Sequence, residues 1–152
     1  MDNLVVRTAL PAMTSVAIDM VRALEEREAS KPQIALDTQH VLHAGIYSRT
    51  IRMPAGTMIT GALIKIATQV IVQGDAIVWL GDKERALAGY NVLPASAGRK
   101  QAFVAISETF ITMFFPSQAK TVEEAEREFT DEAERLASRR DAGHNQIVIT
   151  GE

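Results

Sequence analysis

The 152-residue chain contains no cysteine. This absence excludes a disulfide framework, a thiolate metal ligand and a cysteine nucleophile. Disulfide-free chains are typical of reducing compartments, so we expect a cytoplasmic protein.

Long apolar runs and an excess of charge are also missing. No stretch approaches the eighteen or more apolar residues of a membrane span, and Met1-Asp2-Asn3 lacks the basic start of a signal peptide. The formal net charge is only −3. We therefore expect neither a membrane nor a nucleic acid as partner.

What the sequence does contain is a series of short apolar runs between Tyr47 and Pro116, each closed by a turn signal. For example, Ala76 to Leu80 stops at Gly81. Strands of 4–8 residues with β-branched and aromatic side chains, punctuated at short intervals, are typical of an all-β sandwich or barrel. We predict a mainly β fold with seven to nine strands at about 34–116.

A helical period precedes this core. Apolar residues recur at the spacing of one helical stripe, and Thr14 or Ser15 is a suitable cap. Pro32 ends the pattern. The stripe consists of Val16, Ala17, Met20, Val21 and Leu24. The pattern predicts a helix near 14–29.

A second helical period follows the core, near 122–140. Thr121 and Glu124 fit a capping box, and acidic residues open the segment while Arg139 and Arg140 close it, which complements the helix dipole. The stripe consists of Val122, Ala125, Phe129, Ala133 and Leu136.

Two short apolar segments lie near the chain ends. The segment at 4–6 is an extended arm or an added edge strand, and the one at 147–149 is either frayed or donated to a partner's sheet. The predicted organisation is therefore an N-terminal arm and helix (1–33), a β-barrel (34–116), and a C-terminal helix and tail (117–152).

Three segments carry a resemblance to a known family. They are Met-Pro-Ala-Gly-Thr at 53–57, Val-Ile-Val-Gln-Gly-Asp at 70–75, and Leu-Ala-Gly-Tyr-Asn-Val-Leu-Pro-Ala at 87–95 followed by Gly98 and Phe103. These resemble the turns and strands of the two cupin motifs, which implies a cupin-like jelly-roll barrel flanked by the two helices. The resemblance covers about 47–116, under half of the chain.

The same resemblance also shows what is absent. Metal-binding cupins carry two histidines and a glutamate in the first motif and a third histidine in the second. Here 60–69 contain neither a histidine nor a carboxylate, and the second-motif position falls on Gln101. Transition metals require such ligands, so we expect no metal and no cofactor. The dioxygenase and isomerase activities of metal cupins are not expected either.

The whole chain is also similar to small cupin-like proteins of tailed phages and prophages, which supply no activity to transfer. Three functions stay open. The first is a metal-free, non-catalytic binding or interaction protein of a phage or prophage, working in the bacterial cytoplasm as a homo-oligomer, most simply a dimer. The second is a virion component such as a decoration, adaptor or fibre-associated domain. The third is a metal-independent enzyme for a small anionic or sugar substrate, although no catalytic residue is recognisable.

Six residues are candidates for binding a small anionic, oxygen-rich ligand. Alternation along the first core strand turns one arginine inward unless both face solvent at an edge. Lys65 either faces solvent or lines the mouth of the barrel. The cationic loop at 96–101 is either an anion-binding site or a solvated hairpin loop. The candidates are Arg49, Arg52, Lys65, Arg99, Lys100 and Gln101.

His40 and His43 form a second candidate pair. Three residues apart, they share a face on a helix and could hold a metal, but on a strand they face opposite ways. A polar surface pair is the favoured interpretation, with a ligand contact as the alternative. The partners predicted from the sequence are thus a second copy of the chain, a small anion, or another phage or host protein.

Overall fold

The computed structural model describes residues 9–152, so the predicted arm at 4–6 lies outside the described residues. The helices are α1 (Ser15–Ala29), α2 (Val122–Phe129) and α3 (Ala137–Arg140), with 3₁₀ turns at Ala133–Arg135 and Ala142–His144. The strands are β1 (Thr38–His43), β2 (Ile46–Met53), β3 (Met58–Thr60), β4 (Thr68–Gln73), β5 (Ala76–Trp79), β6 (Glu84–Leu87), β7 (Tyr90–Ala95), β8 (Ala102–Ala105), β9 (Thr109–Pro116) and β10 (Asn145–Ile149).

The strands form two sheets. One has six strands in the order β10-β1-β2-β9-β4-β7, and the other has four in the order β3-β8-β5-β6. All described pairs are antiparallel except β10 with β1. Buried and open positions alternate along the strands, which places the core on one face of each sheet. The prediction of a mainly β, cupin-like jelly roll, with strands β1–β9 inside 34–116, is confirmed.

Helix α1 forms as predicted and packs closely on the turn after β5. Thr14 caps it by accepting a hydrogen bond from the Ala17 amide, and Ala17 and Val21 are buried. Gly81 sits under the helix at φ +89°, where a Cβ would lie 2.5 Å from the Ala17 carbonyl oxygen. Only glycine fits that backbone conformation and that close approach without strain.

The second helical segment differs from the single predicted helix. Helix α2 ends at Phe129, and the chain continues as a 3₁₀ turn and the short α3. The Phe129 carbonyl accepts from the Lys65 amide (2.9 Å), and the Thr130 hydroxyl donates to the Leu63 carbonyl (2.8 Å). The backbone groups at the break are thus satisfied by a loop of the barrel, so the helix need not continue.

The predicted capping box is present in a shifted form. The Thr121 hydroxyl accepts from the Glu124 amide at 3.1 Å, as expected. The Glu124 carboxylate reaches back one residue further than expected, to the Lys120 amide at 3.0 Å.

The C-terminal tail is neither frayed nor donated to another chain. It forms β10, which runs parallel to β1 of the same chain from Thr38 opposite Asn145 to Leu42 opposite Ile149. The ladder continues where the Thr150 amide donates to the Leu42 carbonyl at 3.2 Å. Backbone pairing within the chain explains why this apolar segment is ordered.

The apolar run from Ile64 to Val72 is a strand only in its second half. Strand β4 begins at Thr68, while Ile64 makes only an isolated bridge with Arg99. This bridge and the backbone contacts to α2 hold residues 63–65 outside either sheet. No helix within residues 9–152 is long and apolar enough to cross a membrane.

Candidate functional site: a cavity between the sheets

A cavity of about 730 Å³ lies inside the barrel. Both sheets line it, together with the segment that follows α1 and the turns after α2. Its apolar wall includes Ile51, Val70, Phe103, Ile111 and Met113. This volume is in the range of small-molecule binding sites, which are usually apolar with a few polar groups.

The charged residues around the cavity are mostly cationic, although the whole chain is acidic. Six cationic residues meet three carboxylates. The cations are Lys31, Arg49, Arg99, Lys100, Arg135 and Arg140, and the acids are Glu25, Glu28 and Glu132. Five of these cations pair with carboxylates: Lys31 with Glu28, Arg49 with Glu126, Lys100 with Glu25, Arg135 with Glu132 and Arg140 with Asp141. Within residues 9–152, Arg99 is the exception.

Arg99 is the most informative group in the cavity. It is 2% exposed, and its guanidinium donates to the Ser96 carbonyl (2.8 Å) and the Thr68 hydroxyl (2.7 Å). Longer contacts join it to the Ile66 carbonyl and the Met113 sulfur. All these partners are neutral, and burial lowers the pKa of Arg99 to about 10. Within residues 9–152 this cation is buried without a carboxylate partner.

The local chain path places Arg99 in the cavity. Gly98 adopts φ +80°, and its carbonyl accepts from the Met13 amide at 2.9 Å. The Ile64 amide donates to the Arg99 carbonyl at 2.9 Å. The segment predicted to be either a solvated loop or an anion site is therefore held from two sides, and its cations are buried.

Lys100 and Gln101, which come after Arg99 in the chain, line the same wall of the cavity. Lys100 is 1% exposed and donates to the Glu25 carboxylate (3.1 Å) and the Gly61 carbonyl (2.8 Å), which ties the wall to α1. Gln101 is buried, lines the cavity, and has no partner for its Nε2 within the described residues. A buried amide without a partner is an available donor for a ligand.

Arg49 also points into the barrel, which agrees with one of the two alternatives given for the first core strand. It is 5% exposed and donates to the Glu126 carboxylate (3.2 Å) and the Ser138 hydroxyl (3.0 Å). The second oxygen of Glu126 accepts from Arg139 at 2.6 Å. Arg49 is therefore neutralised by α2, and its guanidinium lies 5.7 Å from the centre of the Phe129 ring.

Two predicted residues lie away from the cavity wall. Arg52 projects from the opposite face of β2, where it pairs with Glu108 at 2.6 Å. Lys65 is exposed and pairs with Asp131 at 2.7 Å. The structure thus brings Arg49, Arg99, Lys100 and Gln101 together and leaves Arg52 and Lys65 on the surface.

The histidine pair lies on a strand, so its members face opposite sides. His40 is fully buried: its Nε2 donates to the Asn145 side-chain oxygen (3.0 Å), and its Nδ1 accepts from the Tyr47 hydroxyl (2.7 Å). Burial lowers the pKa of His40 against the opposing effect of the Asn145 hydrogen bond. His43 is exposed and contacts Thr150. The favoured interpretation as a surface pair is wrong for His40.

Three partners of the buried cations were not predicted from the sequence: Glu126, Glu25 and Thr68. Glu126 was assigned to the helix dipole, but it follows Val122 by four residues and so lies on the apolar stripe. That position was the available signal for a buried carboxylate. Glu25 and Thr68 carried no comparable signal, because their partners are more than thirty residues away.

The donor atoms at the cavity do not fit the metal centre typical of the cupin fold. No histidine lines the cavity. Across residues 9–152, no three side chains of the histidine, cysteine, aspartate and glutamate types converge on one point. The three cavity carboxylates instead pair with lysine or arginine. The metal-free barrel stays a prediction.

Comparisons with known proteins give a structural likeness only. No family model matches the chain, and no curated protein matches it. Similar solved structures are cupin-superfamily proteins. A cupin domain of an XRE-family transcriptional regulator from Enterobacter cloacae has a TM-score of 0.45 at 13% identity, covering 55% of this chain and 99% of that one. A cupin-2 domain protein from Shewanella frigidimarina has a TM-score of 0.43 at 12% identity, covering 61% and 91%.

A salicylate 1,2-dioxygenase from Pseudaminobacter salicylatoxidans reaches a TM-score of 0.50 at 11% identity. The match covers 75% of this chain and 34% of that enzyme. At this identity the likeness establishes the cupin fold and nothing about activity.

Proposed function

We propose that the protein is a non-catalytic, cupin-fold binding protein that holds a small organic anion in its cavity. The observation that carries the proposal is Arg99, which is buried among neutral partners with no carboxylate of the described residues beside it. A buried cation is costly unless an anion accompanies it. A bound anion would supply that missing charge.

The surroundings of Arg99 indicate the kind of anion. Gln101 supplies an amide donor without a partner, and the rest of the wall is largely apolar. An aliphatic or aromatic carboxylate fits a single cation in a largely apolar cavity better than a sugar acid does. The oxygen-rich ligand expected from the sequence is thus the weaker candidate.

A binding role fits the side chains better than catalysis does. The two best-placed polar groups, Arg99 and Gln101, recognise anions but are poor proton-transfer groups at neutral pH. Two serine hydroxyls donate to carboxylates, Ser117 to Glu128 and Ser138 to Glu126, but neither serine lines the cavity. We do not propose the dioxygenase activity of the salicylate enzyme for this chain, because no three histidine, cysteine, aspartate or glutamate side chains of residues 9–152 converge on one point. An origin in a phage or prophage, a place in a virion and a cytoplasmic location stay predictions.

The test is thermal stabilisation and calorimetric titration with matched pairs of probes. Straight-chain C6–C12 carboxylates and 2-naphthoate are each compared with the corresponding neutral amide. Inorganic phosphate and galacturonate serve as polar anions. We expect at least one apolar carboxylate to bind about 10- to 150-fold more tightly than its amide, because hydrogen bonds to a charged group contribute about 1.5–3 kcal/mol.

The variant Arg99→Met should remove that preference, and Arg52→Met should leave it intact. Arg52 is the matched control because it is an arginine outside the cavity. Equal binding of every acid and its amide would overturn the proposal, and so would an unchanged preference in Arg99→Met. Tighter binding of galacturonate or phosphate than of any apolar acid would keep the anion site and reject the apolar ligand.

A further inference from the structure

The groups that line the cavity are nearly closed off from solvent. Arg99 and Gln101, which are proposed to hold an anion, are 2% and 5% exposed. Val70 and Met113 of the apolar wall are 4% and 8% exposed. An organic acid cannot reach these groups unless a segment around the cavity moves. Part of the wall must therefore open before a ligand can bind.

Two turns beside the cavity are fixed by backbone hydrogen bonds to the smaller sheet and the residue before β8. In the turn before β3, the Gly56 amide donates to the Ala105 carbonyl at 2.8 Å. After β3, the Gly61 amide donates to the Gln101 carbonyl at 2.8 Å. Moving either turn would break these bonds, and the freed backbone groups would need new partners.

The helical segments beside the cavity are fixed by buried cations. The Lys100 ammonium donates to the Glu25 carboxylate of α1 at 3.1 Å. The Arg49 guanidinium donates to the Ser138 hydroxyl of α3 at 3.0 Å. Neither helix can move away from the barrel without leaving a buried cation short of a partner, which is costly.

The segment that joins α1 to β1, here called the strap, consists of residues 31–36. All of its residues except Ala35 line the cavity, and all except Leu36 are exposed. Leu36 is 5% exposed, so its side chain packs the strap against the cavity wall. The strap thus covers part of the cavity while most of its own surface remains in solvent.

The polar contacts of the strap stay at the end of α1. The Lys31 ammonium and the Gln33 amide donate to Glu28, and Gln33 also donates to the Lys31 carbonyl. The next backbone bond lies beyond the strap, where the Arg52 amide donates to the Asp37 carbonyl at 3.1 Å. In the part of the chain that the structure describes, no hydrogen bond joins the strap to either sheet. Segments with so few contacts are the ones that open locally.

We infer that the strap is the gate of the cavity. It moves away from the barrel about its two ends, at Ser30 and Asp37, and closes when Leu36 packs against the wall again. Opening exposes mainly one leucine side chain, whereas opening elsewhere breaks backbone hydrogen bonds or strips a buried cation of its partner. The inference deepens the proposed function, since it assigns the entry path for a ligand of the same cavity.

The test is the reactivity of a thiol inside the cavity. Because the chain has no cysteine, Val70→Cys carries a unique thiol in the cavity wall. Val72→Cys is the matched control, because Val72 is fully buried on the same strand but does not line the cavity. The reagent is N-ethylmaleimide, which is uncharged, so its entry does not depend on the anion site. Ile106→Cys, at a position that is 59% exposed, gives the rate of an open thiol.

The Val70→Cys thiol should react at least about 10-fold faster than that of Val72→Cys and at least about 100-fold more slowly than that of Ile106→Cys, because it is reached only through local opening. Adding Leu36→Ala should raise the Val70→Cys rate at least about 10-fold, because it removes the side chain that holds the strap closed. Ile34→Ala, at an exposed position of the strap, should change the rate less than about 2-fold. The Val72→Cys rate should not respond to Leu36→Ala.

Three results would overturn the gate. A Val70→Cys thiol as reactive as that of Ile106→Cys would mean that the cavity is permanently open. A Val70→Cys rate unchanged by Leu36→Ala would mean that the strap does not control entry. Rates that rise equally for Val70→Cys and Val72→Cys in Leu36→Ala would mean global unfolding in place of local opening. The proposed function is judged separately by calorimetry, so a confirmed gate with equal binding of acids and amides would reject the anion alone.

Discussion

The protein contains two buried arginines in unlike surroundings. Arg49 shares the Glu126 carboxylate with Arg139, and Ser138 completes the cluster. The described partners of Arg99 are carbonyls, a hydroxyl and a sulfur. One cation therefore has its counter-charge among residues 9–152, and the other does not.

The difference separates a structural role from a binding role. The Arg49–Glu126 pair joins β2 to α2, so it holds the C-terminal segment against the barrel. Arg99 contacts Thr68 of β4 and Met113 of β9 besides two nearby carbonyls, and none of these described partners carries a charge. An apolar residue could occupy such a core position at little cost, so the presence of an arginine there supports the proposed anion-binding role.

The largest expected effect on stability follows from removing the Glu126 carboxylate, which pairs with Arg49. Glu126→Gln should lower the free energy of unfolding by about 3–5 kcal/mol, because it leaves the buried Arg49 and the partly exposed Arg139 without their shared counter-charge. Urea denaturation measures the loss. The control is Glu123→Gln, an exposed position on the same helix, which should change stability by less than about 0.5 kcal/mol. Equal stability of the two variants would contradict a structural role for the Arg49–Glu126 pair.

An intermediate effect is expected at the third buried cation, Lys100. Glu25→Gln removes its carboxylate partner, but the Glu25 side chain is 28% exposed and water replaces part of the interaction. We expect a loss of about 1.5–3 kcal/mol by urea denaturation. Glu26→Gln, exposed on the same helix, serves as the control. A loss larger than that of Glu126→Gln would reverse the proposed order.

A small effect on the unliganded protein is expected at Arg99. Arg99→Met gives up two short hydrogen bonds of about 1 kcal/mol each, but it also removes the cost of burying an unpaired charge. The free energy of unfolding should therefore stay within about 1 kcal/mol of wild type. A loss matching that of Glu126→Gln would show that the two arginines have the same structural role.

The smallest expected effect is a pH dependence next to the Arg49 cluster. His40 is buried in its neutral form, so its folded-state pKa lies below the value of about 6.5 for an unfolded chain. The unfolded chain then binds more protons, and stability falls as the pH drops below about 6.5 toward the folded-state pKa. Urea denaturation from pH 7.5 to 5 should show a steeper decline for wild type than for His40→Gln. Parallel curves would contradict this assignment.

Much of the fold could be predicted because its signals are local. Turn residues such as Gly81 and Pro116 mark strand ends, and the caps at Thr14 and Thr121 mark helix starts. Predictions failed where distant contacts decide the outcome. The helix expected to run to residue 140 stops at Phe129 because a loop 64 residues earlier satisfies its backbone.

In the candidate site, too, local features could be predicted and distant contacts could not. The cationic character of 99–101 follows from residue type, whereas the inward turn of one arginine on β2 was one of two alternatives that strand alternation left open. Which arginine lacks a partner could not be predicted. Glu126 reaches Arg49 across 77 positions of the chain, and no carboxylate of the described residues reaches Arg99.

The sequence by itself determined the β core, the flanking helices and the set of available cations, because period, turn chemistry and residue type act over a few neighbouring residues. Only the tertiary structure decided that β10 pairs with β1 and that Arg99 is buried beside no carboxylate of the described residues. These features depend on which distant strands become neighbours, and therefore on packing of the whole chain.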